Sequence, residues 1–99
     1  MTFLDLTKLQ QTQKVDYGNG KVVYIKGGLL HNENGAAVVT PTYKEYYVNG
    51  VLHNDKGPAR IFINAPDGNE RVCEWWLNGK FIATGIIDHE VFHQHWSKP

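Results

Sequence analysis

The sequence predicts a mainly β protein, an antiparallel β-meander of repeated hairpins with a short helix at each end. The first observation is internal repetition: residues 46–59 repeat the pattern of residues 24–37 at an offset of 53 − 31 = 22 residues. The second is the recurrence of Asn-Gly and Gly-Gly pairs, which supply the positive φ angles of two-residue hairpin turns. The third is a period of two in segments rich in Val, Ile, Tyr, Phe and Trp, which favours strands.

The repeat organises a single domain, residues 1–99, with units at about 24–45, 46–74 and 75–85. The first two units share a Leu-His-Asn step, at residues 30–32 and 52–54. The third unit keeps only its front, residues 75–80, and has no such step. A chain of this length supports one small core and no second domain.

The elements follow in order from local patterns. Residues 2–11 place Phe3, Leu6 and Leu9 three apart behind Thr2 as a helix N-cap. The expected strands are 21–26, 29–30, 36–40, 44–48, 51–53, 59–64, 70–77 and 80–84. Asp88 is then the expected N-cap of a closing helix over residues 88–96, which would lie across the sheet.

Composition excludes several classes of protein. Ten basic residues balance ten acidic ones, so no net field attracts a polyanion, and nucleic-acid binding is not expected. The single Cys73 excludes an intramolecular disulfide, and the first residues lack the form of a signal peptide. No apolar run approaches the roughly 20 residues of a membrane helix. We therefore expect a cytoplasmic protein that does not engage a membrane.

Alternation along the strands divides the side chains between two faces of the sheet. The expected core face carries Tyr24, Tyr46, Val48, Cys73, Trp75 and Leu77, and the wetter face carries Ile25, Glu45, Tyr47, Glu74 and Trp76. Aromatic rings mixed with carboxylates are typical of recognition surfaces. The predicted binding residues are therefore Tyr47, Trp76, Glu45 and Glu74. The alternative is that the terminal helices cover this face.

The sharpest catalytic motif is His-Glu-x-x-His at residues 89–93, in which His89 and His93 would bind zinc and Glu90 would activate water. Against a zinc hydrolase, a β-meander supplies no evident cleft around a C-terminal helix. Phe92 inside the motif favours packing instead. A plain closing helix is the expected role of this segment, so we predict no metal and no cofactor.

Further candidates are the paired histidines, the cysteine and the arginines. His31 and His53 occupy one repeat position and could act as acid and base in phosphodiester cleavage. A repeated residue in a repeated turn is more often structural, with each imidazole tying its turn to the adjoining strand and Asn32 and Asn54 forming Asx-type turns. Cys73 is expected to be an inert buried thiol. Arg60, Arg71 and Lys80 would form either a modest basic patch or a solvated strand edge.

The segment Asn-Gly-Val-Leu-His-Asn-Asp-Lys-Gly-Pro-Ala at residues 49–59, with an aromatic pair before each Asn-Gly, resembles a repeat of tailed-phage and giant-virus proteins that is loosely similar to MORN repeats. The resemblance covers residues 24–80. Ala36 and Gly27 depart from the proline and asparagine of that pattern. Modules of this kind look like binding scaffolds, so the resemblance implies a phage-encoded protein that acts on a host component.

Together these observations predict a non-enzymatic β-repeat module that binds and modulates or inhibits a host protein, such as a defence protein, in the host cytoplasm. A second hypothesis is that the aromatic face sequesters a small nucleotide. The third and fourth are the zinc hydrolase at residues 89–93 and a phosphodiesterase that uses His31 and His53.

Overall fold

The computed structural model describes residues 11–64 and 70–88 of the chain. They form ten strands: β1 (Gln13–Asp16), β2 (Val22–Lys26), β3 (Leu29–Leu30), β4 (Val38–Val39), β5 (Tyr43–Glu45), β6 (Tyr47–Val48), β7 (Val51–Leu52), β8 (Arg60–Asn64), β9 (Glu70–Leu77) and β10 (Lys80–Asp88). Neither described range contains a helix. The predicted helices over 2–11 and 88–96 lie outside the described residues except for Gln11 and Asp88. Asp88 is the last residue of β10, which extends the strand that we predicted to end at Thr84.

Within the described ranges, no helix is long and apolar enough to span a membrane.

All strand pairs are antiparallel, and the predicted mainly β, antiparallel architecture is confirmed. The main sheet has the order β1-β2-β4-β5-β8-β9-β10, and β3 pairs with β2 beside this path. β6 and β7 form a separate two-stranded hairpin. β1 was not predicted as a strand. It pairs with β2 along its whole length through the turn that contains Gly18 and Gly20.

The long strand that we predicted over residues 44–48 is divided at Tyr46, because the backbone of Tyr46 changes partner there. Its N–H donates to the carbonyl oxygen of Ala59 at 2.7 Å, while its own carbonyl accepts the N–H of His53 at 3.0 Å. Tyr24 makes the same two bonds with Ala37 and His31. In the first two units, the segment beyond the tyrosine therefore pairs with a short hairpin strand, and the segment before it pairs with a return strand.

The Gly-containing turns have the geometry that the dipeptides predicted. Asn49 and Gly50 have φ of 49° and 84°, and Asn78 and Gly79 have 51° and 80°. Positive φ at both central residues matches the type I′ turn, whose twist suits a two-residue hairpin. Gly27 and Gly28 repeat this geometry with φ of 59° and 80°, so glycine replaces the usual asparagine without changing the turn.

The third unit loses its loop at a β-bulge. In the second unit, Leu52 pairs with Tyr47 and Arg60 pairs with Glu45, and residues 53–59 form a loop between them. In the third, Phe81 pairs with Trp76 and Thr84 pairs with Glu74, with only Ile82 and Ala83 between. The register shift between Phe81 and Ala83 marks the place where the loop would stand. β10 therefore continues as an uninterrupted partner of β9.

The core is small, and both faces of the sheet contribute to it. Among the described residues, the buried hydrophobic side chains are those of Val23, Ala36, Ala37, Val38, Ala59, Ile61 and Cys73, and His31 is buried as well. Of the predicted core face, Cys73 is fully buried, whereas Leu77 is 40% exposed. The assignment of the core to a single face was wrong, because Val23 and Val38 belong to the face that carries Glu45.

Candidate functional site

One row of side chains crosses the sheet, and it is apolar in its first half and charged in most of its second half. Direct cross-strand partners share a face, so the pairings place Val15, Val23, Val38, Glu45, Arg60, Glu74 and Thr84 in one row. The first three are apolar, and Val23 and Val38 are buried. The next three are charged. Because Val23, Glu45 and Glu74 are equivalent repeat positions, one backbone unit displays an apolar surface in its first copy and an ionic surface in the later ones.

The ionic half of this row is centred on Arg60. Its Nε donates to Glu45 Oε2 at 3.0 Å, and its Nη1 donates to Glu74 Oε1 at 3.2 Å. The same Oε1 atom accepts the indole N–H of Trp76 at 3.0 Å. These side chains are partly exposed, at 30% for Arg60, 15% for Glu45 and 24% for Glu74.

Tyr47 extends this group along the face. Burial raises the pKa of the Tyr47 phenol, the Glu45 carboxylate raises it further, and the Arg60 guanidinium lowers it. Tyr47 therefore lies within electrostatic range of both ionic partners. We name the set Glu45, Tyr47, Arg60, Glu74 and Trp76 the Arg60 cluster. It contains all four predicted binding residues, and sequence reasoning missed only its centre.

Aromatic rings surround the Arg60 cluster on the same face. The Arg60 guanidinium lies 5.0 Å from the centroid of the Phe62 ring, a cation–π distance. Phe62 in turn lies 6.0 Å from Tyr43. On the other side, Trp76 meets Phe81 edge to face with centroids 5.5 Å apart. The guanidinium, both carboxylates and the indole are thus held in one arrangement by neighbours within the chain.

The repeat histidines bind the units to one another. The Nδ1 atom of His31 accepts the backbone N–H of Asn49, and Nδ1 of His53 accepts that of Asn78, both at 2.9 Å. Each ring therefore bonds to the Asn-Gly turn of the following unit, and not to the adjoining strand as we expected. An accepting Nδ1 carries no proton, so each ring is the neutral Nε2–H tautomer in this geometry.

The asparagine after each histidine shapes its loop as predicted. Asn32 Oδ1 accepts the N–H of Asn34 and Asn54 Oδ1 accepts that of Lys56, both at 3.0 Å, which is the bond of an Asx turn. Their Nδ2 groups donate to the carbonyls of Ala36 and Pro58. Both loops therefore have the same internal bonding and stand side by side.

A groove of about 710 Å³ lies between these two loops, residues 32–35 and 54–58. We name it the loop groove. Tyr46, Ile61 and the cationic side chains of Lys44, Lys56 and Arg71 are among its lining residues. Lys44, Ile61 and Cys73 are register partners, so this part of the lining belongs to the face opposite the Arg60 cluster. The sequence did not predict this groove, because its walls come from loops that are far apart in the chain.

Cys73 is fully buried beneath this face, as predicted. Burial raises the pKa of its thiol to about 11, although the nearby Arg71 opposes the shift. A protonated, inaccessible thiol is a poor nucleophile. Cys73 therefore contributes packing, and its Sγ points at the carbonyl oxygen of Arg71 at 3.7 Å.

The predicted basic patch does not form. Arg60 pairs in register with Glu74, and Arg71 pairs with Ile63 three positions along the ladder, so the two arginines lie on opposite faces. Among the described residues, no group of three or more His, Cys, Asp or Glu side chains could hold a metal ion. The predicted zinc residues His89, Glu90 and His93 lie outside the described ranges.

Comparison with known protein families, curated proteins and solved structures gave no match.

Proposed function

We propose that this protein is a non-enzymatic β-repeat binding module that docks on another protein through the Arg60 cluster. The observation that carries the proposal is the convergence of Tyr47, Trp76 and two carboxylates around Arg60, partly exposed and fixed by bonds within the chain. Side chains that are already ordered lose little entropy on binding, and Tyr, Trp and Arg dominate the energetics of protein interfaces.

The charge of the cluster indicates which surface would fit it. Two carboxylates face a single guanidinium, so the cluster has one uncompensated negative charge beside the partly exposed rings of Tyr47 and Trp76. A partner that presents a basic side chain next to an apolar surface would complement both features. The resemblance to phage and giant-virus repeats favours a host protein in the host cytoplasm as this partner, whose activity the module would modulate or inhibit.

The test is capture from a host lysate, identification by mass spectrometry, and titration of the purified partner with three forms of the chain. We expect Tyr47→Ala combined with Trp76→Ala to weaken binding by about tenfold or more, since hot-spot aromatics contribute about 2 kcal/mol or more each. Tyr17→Ala is the control, because Tyr17 is 58% exposed and lies outside the cluster. Wild-type affinity in a folded double variant would remove the Arg60 cluster as the docking surface.

A second candidate, sequestration of a small nucleotide, is favoured by the loop groove and not by the aromatic face on which we first placed it. The groove combines the Tyr46 ring, which suits a base, with the cations Lys44, Lys56 and Arg71, which suit a phosphate. Calorimetric titration with a panel of nucleotides tests it. Heat that disappears in Lys44→Ala but persists in the Tyr47 and Trp76 variant would support the groove, and no heat with any nucleotide would reject it.

The two enzymatic hypotheses remain open to direct tests. Zinc content of protein purified without added metal tests the hydrolase, which requires stoichiometric zinc. For the phosphodiesterase, His31 is only 2% exposed and both Nδ1 atoms accept backbone N–H groups. Rings held in this way support a structural role, and an unchanged cleavage rate in His53→Ala would reject an acid–base pair.

A further inference from the structure

The two edges of the main sheet differ in how they are protected. β1, at one edge, is short, and its exposed side chains are Gln13, Lys14 and Asp16. β10, at the other edge, is nine residues long and carries no charge between Lys80 and Asp88. Long uncharged edge strands are rare in natural proteins, because their unpaired N–H and C=O groups pair with other chains.

Apolar side chains on β10 are exposed. Phe81 is 53% exposed, Ile82 56% and Ile86 66%. Phe81 and Ile86 share the face of Trp76 and Val72, their partners on β9. The third unit also has no loop that would cover the outer edge of β10, because Ile82 and Ala83 stand where the second unit has its loop of residues 53–59. Among the described residues no strand pairs with the outer edge of β10.

We propose that β10 is a homodimer interface, in which the β10 strands of two copies pair antiparallel about a two-fold axis at Thr84 and join the two sheets. A second copy fits this edge because the strand is self-complementary. The bulge pair Phe81 and Ile82 counts as one position in a ladder. Thr84 then lies opposite Thr84 of the second copy, and Phe81 lies opposite Ile86 of the second copy. The two-fold axis produces this second pair once on each side of Thr84.

Charge favours the same orientation. Antiparallel pairing brings the Lys80 end of each strand beside the Asp88 end of the other, whereas parallel pairing would place like charges together. The apolar row would continue without a break from Trp76 through Phe81 to Ile86 and Val72 of the second copy. Pairs of aromatic and β-branched residues across strands are among the favourable ones.

Sedimentation velocity over a wide concentration range tests the proposal with three proteins. The wild type is expected to dimerise as its concentration rises. Ile86→Lys should weaken self-association by about tenfold or more, because a two-fold interface contains each substitution twice. Tyr17→Lys, which changes a residue that is 58% exposed and lies away from β10, should dimerise like the wild type. A wild type that stays monomeric, or an Ile86→Lys protein that dimerises normally, would overturn the proposal.

A cross-link tests the register independently of any loss of folding. Cα atoms of directly opposed residues lie about 4.5–5.5 Å apart, within the range of a disulfide. Thr84→Cys should therefore form a covalent dimer on mild oxidation, while the buried Cys73 does not react. Lys80→Cys is the matched control, since its two copies would lie about 20 Å apart at 3.3 Å per residue. Cross-linking of both variants, or of Lys80→Cys alone, would contradict a two-fold axis at Thr84.

Discussion

The imidazole of His31 accepts the backbone N–H of Asn49 across the boundary between two repeat units, at 2.9 Å. Beside it, the N–H of Gly50 donates to the carbonyl oxygen of Leu30 at 2.8 Å. The same pair of bonds recurs one unit later, from Asn78 to His53 and from Gly79 to Leu52. In both cases, one unit accepts the two backbone N–H groups of the Asn-Gly turn in the next unit. These bonds stabilise the boundary between neighbouring units.

Replacing a repeat histidine should destabilise the protein without abolishing its fold. His31→Ala removes the acceptor of the Asn49 N–H and a side chain that is only 2% exposed, and a lost partner of this kind costs about 1–3 kcal/mol. His53→Ala should cost less, because His53 is half-buried and water can reach its site. Urea unfolding followed by tryptophan fluorescence measures both changes in the free energy of unfolding.

His31→Asn is the matched control, because an asparagine Oδ1 can occupy roughly the position of the histidine Nδ1. It should recover part of the loss seen in His31→Ala. Equal stabilities for His31→Ala and the wild type would mean that the bond to Asn49 contributes nothing.

The same geometry fixes the tautomer of both rings. Because Nδ1 accepts in each case, the neutral imidazoles of His31 and His53 should carry their proton on Nε2. Long-range proton–nitrogen NMR correlations distinguish the two tautomers directly. His31 provides the sharper case, since its Nε2 lies 3.3 Å from Glu33 Oε1, an acceptor that requires a donor on that nitrogen. An Nδ1–H signal for either ring would contradict the described bonds.

Glycine substitutions should separate backbone strain from steric conflict. Gly20 and Gly28 have nearly equal φ, 77° and 80°, but a Cβ at residue 20 would lie 2.9 Å from Cγ of Pro41, whereas a Cβ at residue 28 would contact nothing. Gly28→Ala should therefore cost about 1–2 kcal/mol, the penalty of a left-handed conformation alone.

Gly20→Ala should cost about 1–3 kcal/mol more, the usual penalty of overpacking. Thermal unfolding of the two variants side by side measures the difference, which isolates the contact of the first turn with Pro41. Equal losses would show that the chain relieves this contact by a small shift.

The turns were predictable because their chemistry is local. Asn49-Gly50 and Asn78-Gly79 require positive φ, and that requirement can be read from two residues. The shared face of Glu45 and Tyr47 was predictable for a similar reason, since a period of two places residues 45 and 47 on one face wherever the strand lies. Arg60 was not recognised as their centre, because its register against Glu45 and Glu74 depends on a pairing across the sheet.

The position of the core was harder to predict. Val23 and Glu45 occupy the same repeat position, so alternation assigns them the same face but not the same environment. Val23 is buried and Glu45 is half-buried. Burial depends on which elements cover each end of the sheet. A repeat pattern shows which positions are equivalent, but it does not show which segments pack over the first and last units.

Removing Arg60 should destabilise the protein, because the carboxylates of Glu45 and Glu74 would then repel each other. Arg60→Leu would leave Glu45 and Glu74 facing each other across β8 with like charges, and we expect a loss of about 1–3 kcal/mol, below the cost in a fully buried site because Arg60 is 30% exposed. Urea unfolding in low and high salt measures it, since screening should reduce the loss.

Adding Glu45→Gln and Glu74→Gln to Arg60→Leu provides the control, because neutral amides no longer repel each other. The triple variant should recover most of the lost stability. A triple variant as unstable as Arg60→Leu would assign the loss to packing of the Arg60 stem on Phe62 and not to charge.

Stability should fall in the alkaline range because of Cys73. Burial raises the pKa of its thiol from 9.0 to about 11, so the folded state keeps the proton at pH values where the unfolded chain has lost it. Between pH 9 and about 11 the folded state binds more protons, and stability therefore decreases as pH rises through this window and is fully retained below it. The loss should reach about 2–3 kcal/mol, at about 1.4 kcal/mol for each pKa unit.

Burial also raises the pKa values of Tyr46 and Tyr47, so Cys73→Ala is needed to isolate the thiol. The free energy of unfolding of Cys73→Ala should be lower at neutral pH but less dependent on pH across the window, and an unchanged slope would exclude Cys73 as its source.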